Sequence, residues 1–169
     1  WPSPIGLLLG LGFVVLGQIA VLIYYFLRRE VLHSSNFIQV KQQEPKTSLW
    51  SDLAHHISAP ESFLLVFGYL STVWMFRLLP DSYYDLSGSI SLVQLLLQFL
   101  VVDFFTYAMH RLEHAWPALY VRSHKPHHHW ISPKMFNAFN GSVPDTISLI
   151  LIPLFLTHQV CRSVNNWTF

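Results

Sequence analysis

The sequence predicts an all-α integral membrane protein: about four transmembrane or re-entrant helices with a cytosolic, histidine-rich cap. Three observations lead there. Apolar residues make up 52% of the 169 positions and charged ones only 11%, and the mean hydropathy of +0.38 is high for a soluble chain of this length. The apolar residues fall in helix-length blocks separated by proline and polar clusters, and six of the ten histidines crowd into "HRLEHAWPALYVRSHKPHHHW", residues 110–130.

Composition also excludes. A net charge of +1 with neutral histidines gives no broad basic field for phosphates, so nucleic acid is not an expected partner. A lone cysteine, Cys161, rules out an internal disulfide framework and multi-cysteine metal sites.

Ile5 to Leu27 carries no charge and at about 1.5 Å per residue exceeds the roughly 30 Å hydrocarbon thickness, so it is read as the first span. It ends in Tyr24, Tyr25, Arg28 and Arg29, an aromatic and basic finish that suits the cytosolic interface. Residues 30–60 are polar and form a loop. Ser62 to Leu79 is a second apolar segment, stopped by Pro80 and Asp81, with Arg77 placed to snorkel. Leu86 to Val102 is a third, with Gln94 and Gln98 directed to a helix neighbour or a cavity. Counting crossings from Arg28 and Arg29 puts residues 103–134 back in the cytosol, and Arg111, Arg122, Lys125 and Lys134 agree by charge bias. Ile147 to Leu156, interrupted by Pro153, is a short span, half-hairpin or re-entrant segment. The whole, residues 1–169, reads as one membrane domain and as a piece of a longer protein.

His110 and His114, four apart on a helix, project from one face and can share a metal. Extending the face backwards adds Tyr107 and Asp103, and an acid there could fix an imidazole's tautomer. His124, His127 and His128 repeat the spacing, with His129 as a spare. Pro117 should end the first helix near Trp116, and Pro126 suits the first turn of another segment, so the second cluster can fold over the first. The bland alternatives are a solvated polar face or a pH-responsive patch. His33 and His158 read as isolated residues, and the pair His55 and His56 as a weaker candidate. All-nitrogen ligation suits iron or zinc, and spacing alone does not choose between them.

"DFFTYAMHRLEH" followed by "HKPHHHW" resembles the first two histidine boxes, H-x-x-x-H and H-x-x-H-H, of the membrane fatty acid hydroxylase and sterol desaturase superfamily. The match covers about residues 60–160, and "HKPHHHWISP" is most like the sterol desaturase branch. The resemblance implies a multi-pass enzyme of the endoplasmic reticulum membrane whose cytosolic histidines hold a non-haem di-iron centre. It further implies electrons from NAD(P)H through a reductase and a b-type cytochrome, and hydroxylation or desaturation of a sterol or fatty-acyl-type lipid. Carried over, His110 and His114 are first-box ligands, His124, His127 and His128 second-box ligands, and Asp103 and Tyr107 their supports. Two departures stand out: the family's third box, a downstream H-x-x-H-H, is not in this sequence, and Val143-Pro144 stands where many members have His-Pro. The competing expectation is a degenerate, non-catalytic membrane protein with a structural zinc.

Overall fold

The computed structural model describes residues 4–27, 61–129 and 142–165, together with Trp50 and Ala54. Every regular element among the described residues is helical. Arg28 and Arg29, His33, His55, His56 and Lys134 lie outside the described residues.

Helix α1, Pro4–Phe26, is 23 residues without a charge, Gln18 being its one amide side chain. It is long enough to cross a bilayer, and its side chains are mostly exposed because their intended solvent is lipid. It packs against α2, Glu61–Met75. That helix is shorter than its sequence suggests: 15 residues, about 22 Å, rather than the 18 expected from Ser62 to Leu79. The chain leaves the helix because Arg77 adopts a positive φ of 51°. Its guanidinium then turns back to Asp81 at 2.8 Å and over the Tyr84 ring at 5.0 Å.

Helix α3, Leu92–Ala115, starts six residues later than expected and runs thirteen further, taking the membrane span and the first histidine pair into one rod. Ser91 caps its start, accepting from Gln94 N at 3.3 Å. Pro117 stops it, since the ring tolerates only the first turn of a new helix, and Trp116 leaves in an extended conformation. A short turn Pro117–Leu119 continues into a π-helical turn, Tyr120–His124, and after Lys125 and Pro126 a 3-10 turn, His127–His129, follows.

Helix α4, Val143–Val160, extends the expected Ile147 to Leu156 segment into a span of 18 residues. Pro153 inside it has no N–H to offer the Leu149 carbonyl and would clash with it in a regular helix. The chain solves both problems by widening to a π-helical turn over Ile147–Leu151. Thr106 on α3 donates its hydroxyl to the Leu149 oxygen at 3.4 Å, so the freed carbonyl is not stranded.

Antiparallel packing of α3 on α4 is the spine of the fold. At the end remote from the histidines, Val73, Leu79, Tyr83 and Val164 form an apolar cluster. Tyr83, fully buried, donates its hydroxyl to Cys161 O at 2.8 Å and accepts from Gln98 Nε2 at 3.3 Å. Burial raises its pKa to about 12. Tyr84 accepts from Leu79 N and donates to Val73 O. Gln94 Nε2 donates to Ser163 O at 3.1 Å, so both glutamines of α3 face protein neighbours, as their position in an apolar run suggests. Gly88, at φ 102°, brings the chain so close to Asn165 that an added Cβ would sit 2.7 Å from its Nδ2.

Candidate metal centre

The last turns of α3 deliver His110 and His114 side by side, rings stacked with centroids 4.9 Å apart. The π-helical turn over Tyr120–His124 then sets His124 across them, at 4.5 Å from the His110 ring and 4.8 Å from His114. His128, from the 3-10 turn, closes the group at 5.1 Å from His114 and 4.6 Å from His124. One nitrogen from each of these four residues lies within 4.8 Å of all the others.

The separations carry chemical meaning. His114 Nε2 is 3.1 Å from His110 Nε2 and 3.3 Å from His128 Nε2. Metal–nitrogen bonds of about 2.1 Å give cis edges of about 3.0 Å in an octahedron and about 3.4 Å in a tetrahedron. The imidazoles therefore stand at coordination spacing. Loss of hydration, with the nearby His124, His114 and His127 rings, lowers the His128 pKa. A neutral ring keeps the lone pair that a metal needs.

His124 is the pivot. It is fully buried, and its Nδ1 lies 2.7 Å from Asp145 Oδ1, so the carboxylate accepts the ring N–H. Nε2 is then the nitrogen left to offer, and it is buried with no hydrogen-bond partner. A buried polar atom without a partner costs about 1–3 kcal/mol, a cost removed if a cation takes its lone pair. By this observation the residues fit a metal ion.

Behind His124 lies a carboxylate that the spacing argument passed over. Glu113, buried completely, accepts a hydroxyl bond from Ser123 at 2.6 Å and another, very short, from Ser148. Its second oxygen, Oε2, stands 3.3 Å from His124 Nδ1. Ser142 caps the start of α4 by accepting from Asp145 N at 3.2 Å, and donates to Ser123 O at 2.7 Å, which fixes the acid-bearing turn against the histidine arm.

The expected residues divide accordingly. His110, His114, His124 and His128 come together. His127 stands outside that set, stacked on His124 at 5.5 Å with its Nδ1 buried and unpartnered. The side chain of His129 lies outside the described residues. Asp103 does not support an imidazole: it is exposed on α3, and among the described residues the acids at His124 are Glu113 and Asp145. The reason is distance along the rod, because a stripe from 103 to 114 runs about 16 Å whereas the nitrogens gather within 4.8 Å. Tyr107 points to Arg111, whose Nη1 is 3.5 Å from the phenol oxygen. His158 is buried beside Tyr83 at the opposite end. The signal that could have pointed to Glu113 is its place between His110 and His114, an acid inside a ligand-spaced pair.

Residues 95–169 match the model of the fatty acid hydroxylase family. Over 170 aligned residues the chain is 39% identical to a protein of Phaeodactylum tricornutum (strain CCAP 1055/1) named alternative squalene epoxidase, with 99% of this chain and 49% of that protein covered. The chain thus spans about half the length of that curated relative. No solved structure matches it.

Proposed function

We propose, from the premise that the chain belongs to the fatty acid hydroxylase and sterol desaturase superfamily, that it forms the membrane-embedded metal centre of a lipid oxygenase. The observation that carries the proposal is the convergence of His110, His114, His124 and His128 within 4.8 Å, with the buried Nε2 of His124 free of hydrogen bonds. These four residues would hold iron, and His127, stacked on His124, stands next to them for a second ion. When bound, the metal supplies activation of dioxygen, a chemistry that no protein side chain performs unaided.

The substrate we propose is an apolar isoprenoid or sterol-type lipid. The relative's name supports that class, and it adds epoxidation to the hydroxylation and desaturation that the sequence suggests. One turnover would insert one oxygen atom of dioxygen into a carbon–carbon double bond or a C–H bond and release the other as water. Two electrons and two protons are consumed, the electrons drawn from NAD(P)H through a reductase and a b-type cytochrome. The protein's own contribution is positional: α3 places its exposed apolar side chains, among them Phe99 and Phe104, in the bilayer leading to the histidines, so a lipid need not leave the membrane far to reach them. We further propose that this face is the cytosolic side of the endoplasmic reticulum.

The test is elemental analysis of the full-length membrane protein, followed by incubation with squalene, NAD(P)H, reductase and cytochrome under isotopically labelled dioxygen. Iron near or above one equivalent and one labelled oxygen in the lipid product are expected. A single tightly held zinc with no oxygen transfer would instead favour the structural reading of the cluster.

A further inference from the structure

Two carboxylates approach one imidazole nitrogen. Asp145 Oδ1, at 2.7 Å, is close enough to be the hydrogen-bond acceptor of His124 Nδ1–H. It is too close for a cation to sit between them, since ligands of one metal stand about 3 Å or more apart. Glu113 Oε2, at 3.3 Å on the same nitrogen, makes no hydrogen bond of its own and is buried. An ordinary structural acid would spend both oxygens. Here Oε1 takes both serine hydroxyls, from Ser123 and Ser148, and Oε2 is kept bare against the ring. Among the described residues no lysine or arginine forms an ion pair with either acid, and His124 is the group that each of them faces.

The sequence builds this arrangement from irregular backbone. Ser123 sits on the π-helical turn Tyr120–His124 and Ser148 on the π-helical turn Ile147–Leu151. Such widened turns recur at functional sites. Glu113 itself is one residue before His114 on α3. A single carboxylate therefore joins the first-box helix, the second-box arm and α4.

We propose that Glu113 is a positioning residue of the metal centre, a braced anionic backstop that acts through His124. With Asp145 it fixes the ring so that Nε2 alone faces the ion, and its charge makes that ring the most electron-rich of the four. This assignment rests on the metal-centre reading above. Its ligand class is a first-row transition ion of charge two or three, whose charge, relayed through the ring, offsets two buried acids that have no other counter-ion among the described residues.

The experiment is cobalt(II) titration of the metal-depleted full-length protein in detergent, read by d–d absorption and by thermal unfolding of the apo form. Glu113→Gln keeps an oxygen for both serines but turns an amide N–H towards His124 Nδ1–H. The expected result is an unfolding midpoint close to the parent's, with cobalt affinity 10–100-fold weaker and a shifted absorption band. A merely structural glue predicts the reverse: altered stability with affinity and spectrum intact, and that outcome overturns the assignment. If Glu113→Gln does not fold, Ser148→Ala removes one brace from an intact carboxylate and should weaken cobalt about fivefold, no change again overturning it. His114→Ala separates the two readings. If that variant still binds cobalt as the parent does, the metal centre itself falls; if it loses cobalt while Glu113→Gln does not, only the role of Glu113 falls.

Discussion

The two ends of the α3–α4 pair handle buried polarity in opposite ways. At the remote end, Tyr83, Tyr84, Gln94 and Gln98 use neutral hydroxyls and amides, and each finds a backbone or side-chain partner. At the histidine end the buried groups include two carboxylates, Glu113 and Asp145, set against the His124 imidazole. All three buried side-chain atoms without a hydrogen-bond partner among the described residues, Glu113 Oε2, His124 Nε2 and His127 Nδ1, lie there. Folded chains pair more than nine in ten of their buried polar groups, so a concentration of exceptions in one place marks where local rules yield to function. One end closes the bundle, and the other holds lone pairs in readiness.

The contrast is broken most directly at His124. Replacing His124 by Ala should reduce bound metal and any oxygen transfer to background, measured by mass-spectrometric metal analysis. His158→Ala, an equally buried histidine at the far end, should leave metal content unchanged; equal loss in both variants would show that burial rather than ligation controls the ion. Next in size is Asp145→Asn, which puts an amide beside His124 Nδ1 and should weaken metal binding 10–100-fold in a competition titration.

At the remote end, Tyr83→Phe strands Gln98 Nε2 and leaves Cys161 O with the Val164 N–H alone. It should cost about 1–3 kcal/mol in a denaturant series while metal content stays at the parental value. The same tyrosine gives a pH signature. Its folded pKa, raised to about 12 from 10, means that the unfolded chain loses this proton first. Its contribution to stability is full below pH 10 and fades as pH climbs towards 12, and Tyr83→Phe should flatten that alkaline decline. The smallest effect is expected for Arg77→Gly. Glycine relieves about 1 kcal/mol of left-handed strain, but the variant gives up the exposed Asp81 bridge and the contact with the Tyr84 ring, so the unfolding midpoint should move little.

Much of the fold was open to a reader of the sequence, because spans and stops are composition effects. Charge-free runs gave the membrane helices, Pro117 ended α3 where its ring must, and the i, i+4 pair put His110 and His114 on one face. Where sequence and structure part, the reason is tertiary rather than local. Extending a periodic stripe back from His110 reaches Asp103, yet the gathered nitrogens of α3 come from one turn of the rod. Ser123 and Ser148 lie within π-helical turns, whose register no simple period encodes, and Asp145 reaches His124 across 21 positions of chain, a contact that no local spacing shows. The length of α2 was overestimated because the positive φ of Arg77 is a tertiary compromise, held by Asp81 and Tyr84 rather than by local preference.

The link from His124 to Asp145 has a consequence in time. The two residues are separated by 21 positions, and a ribosome releases the acid, with the rest of α4, only after both histidine segments have been made. Until then His124 can present either nitrogen, and the brace from Ser148 does not exist. Whatever ion the cluster accepts is thus accepted in this geometry only after α4 has been made and packed on α3, which ties capture of an ion to the assembly of that helix pair.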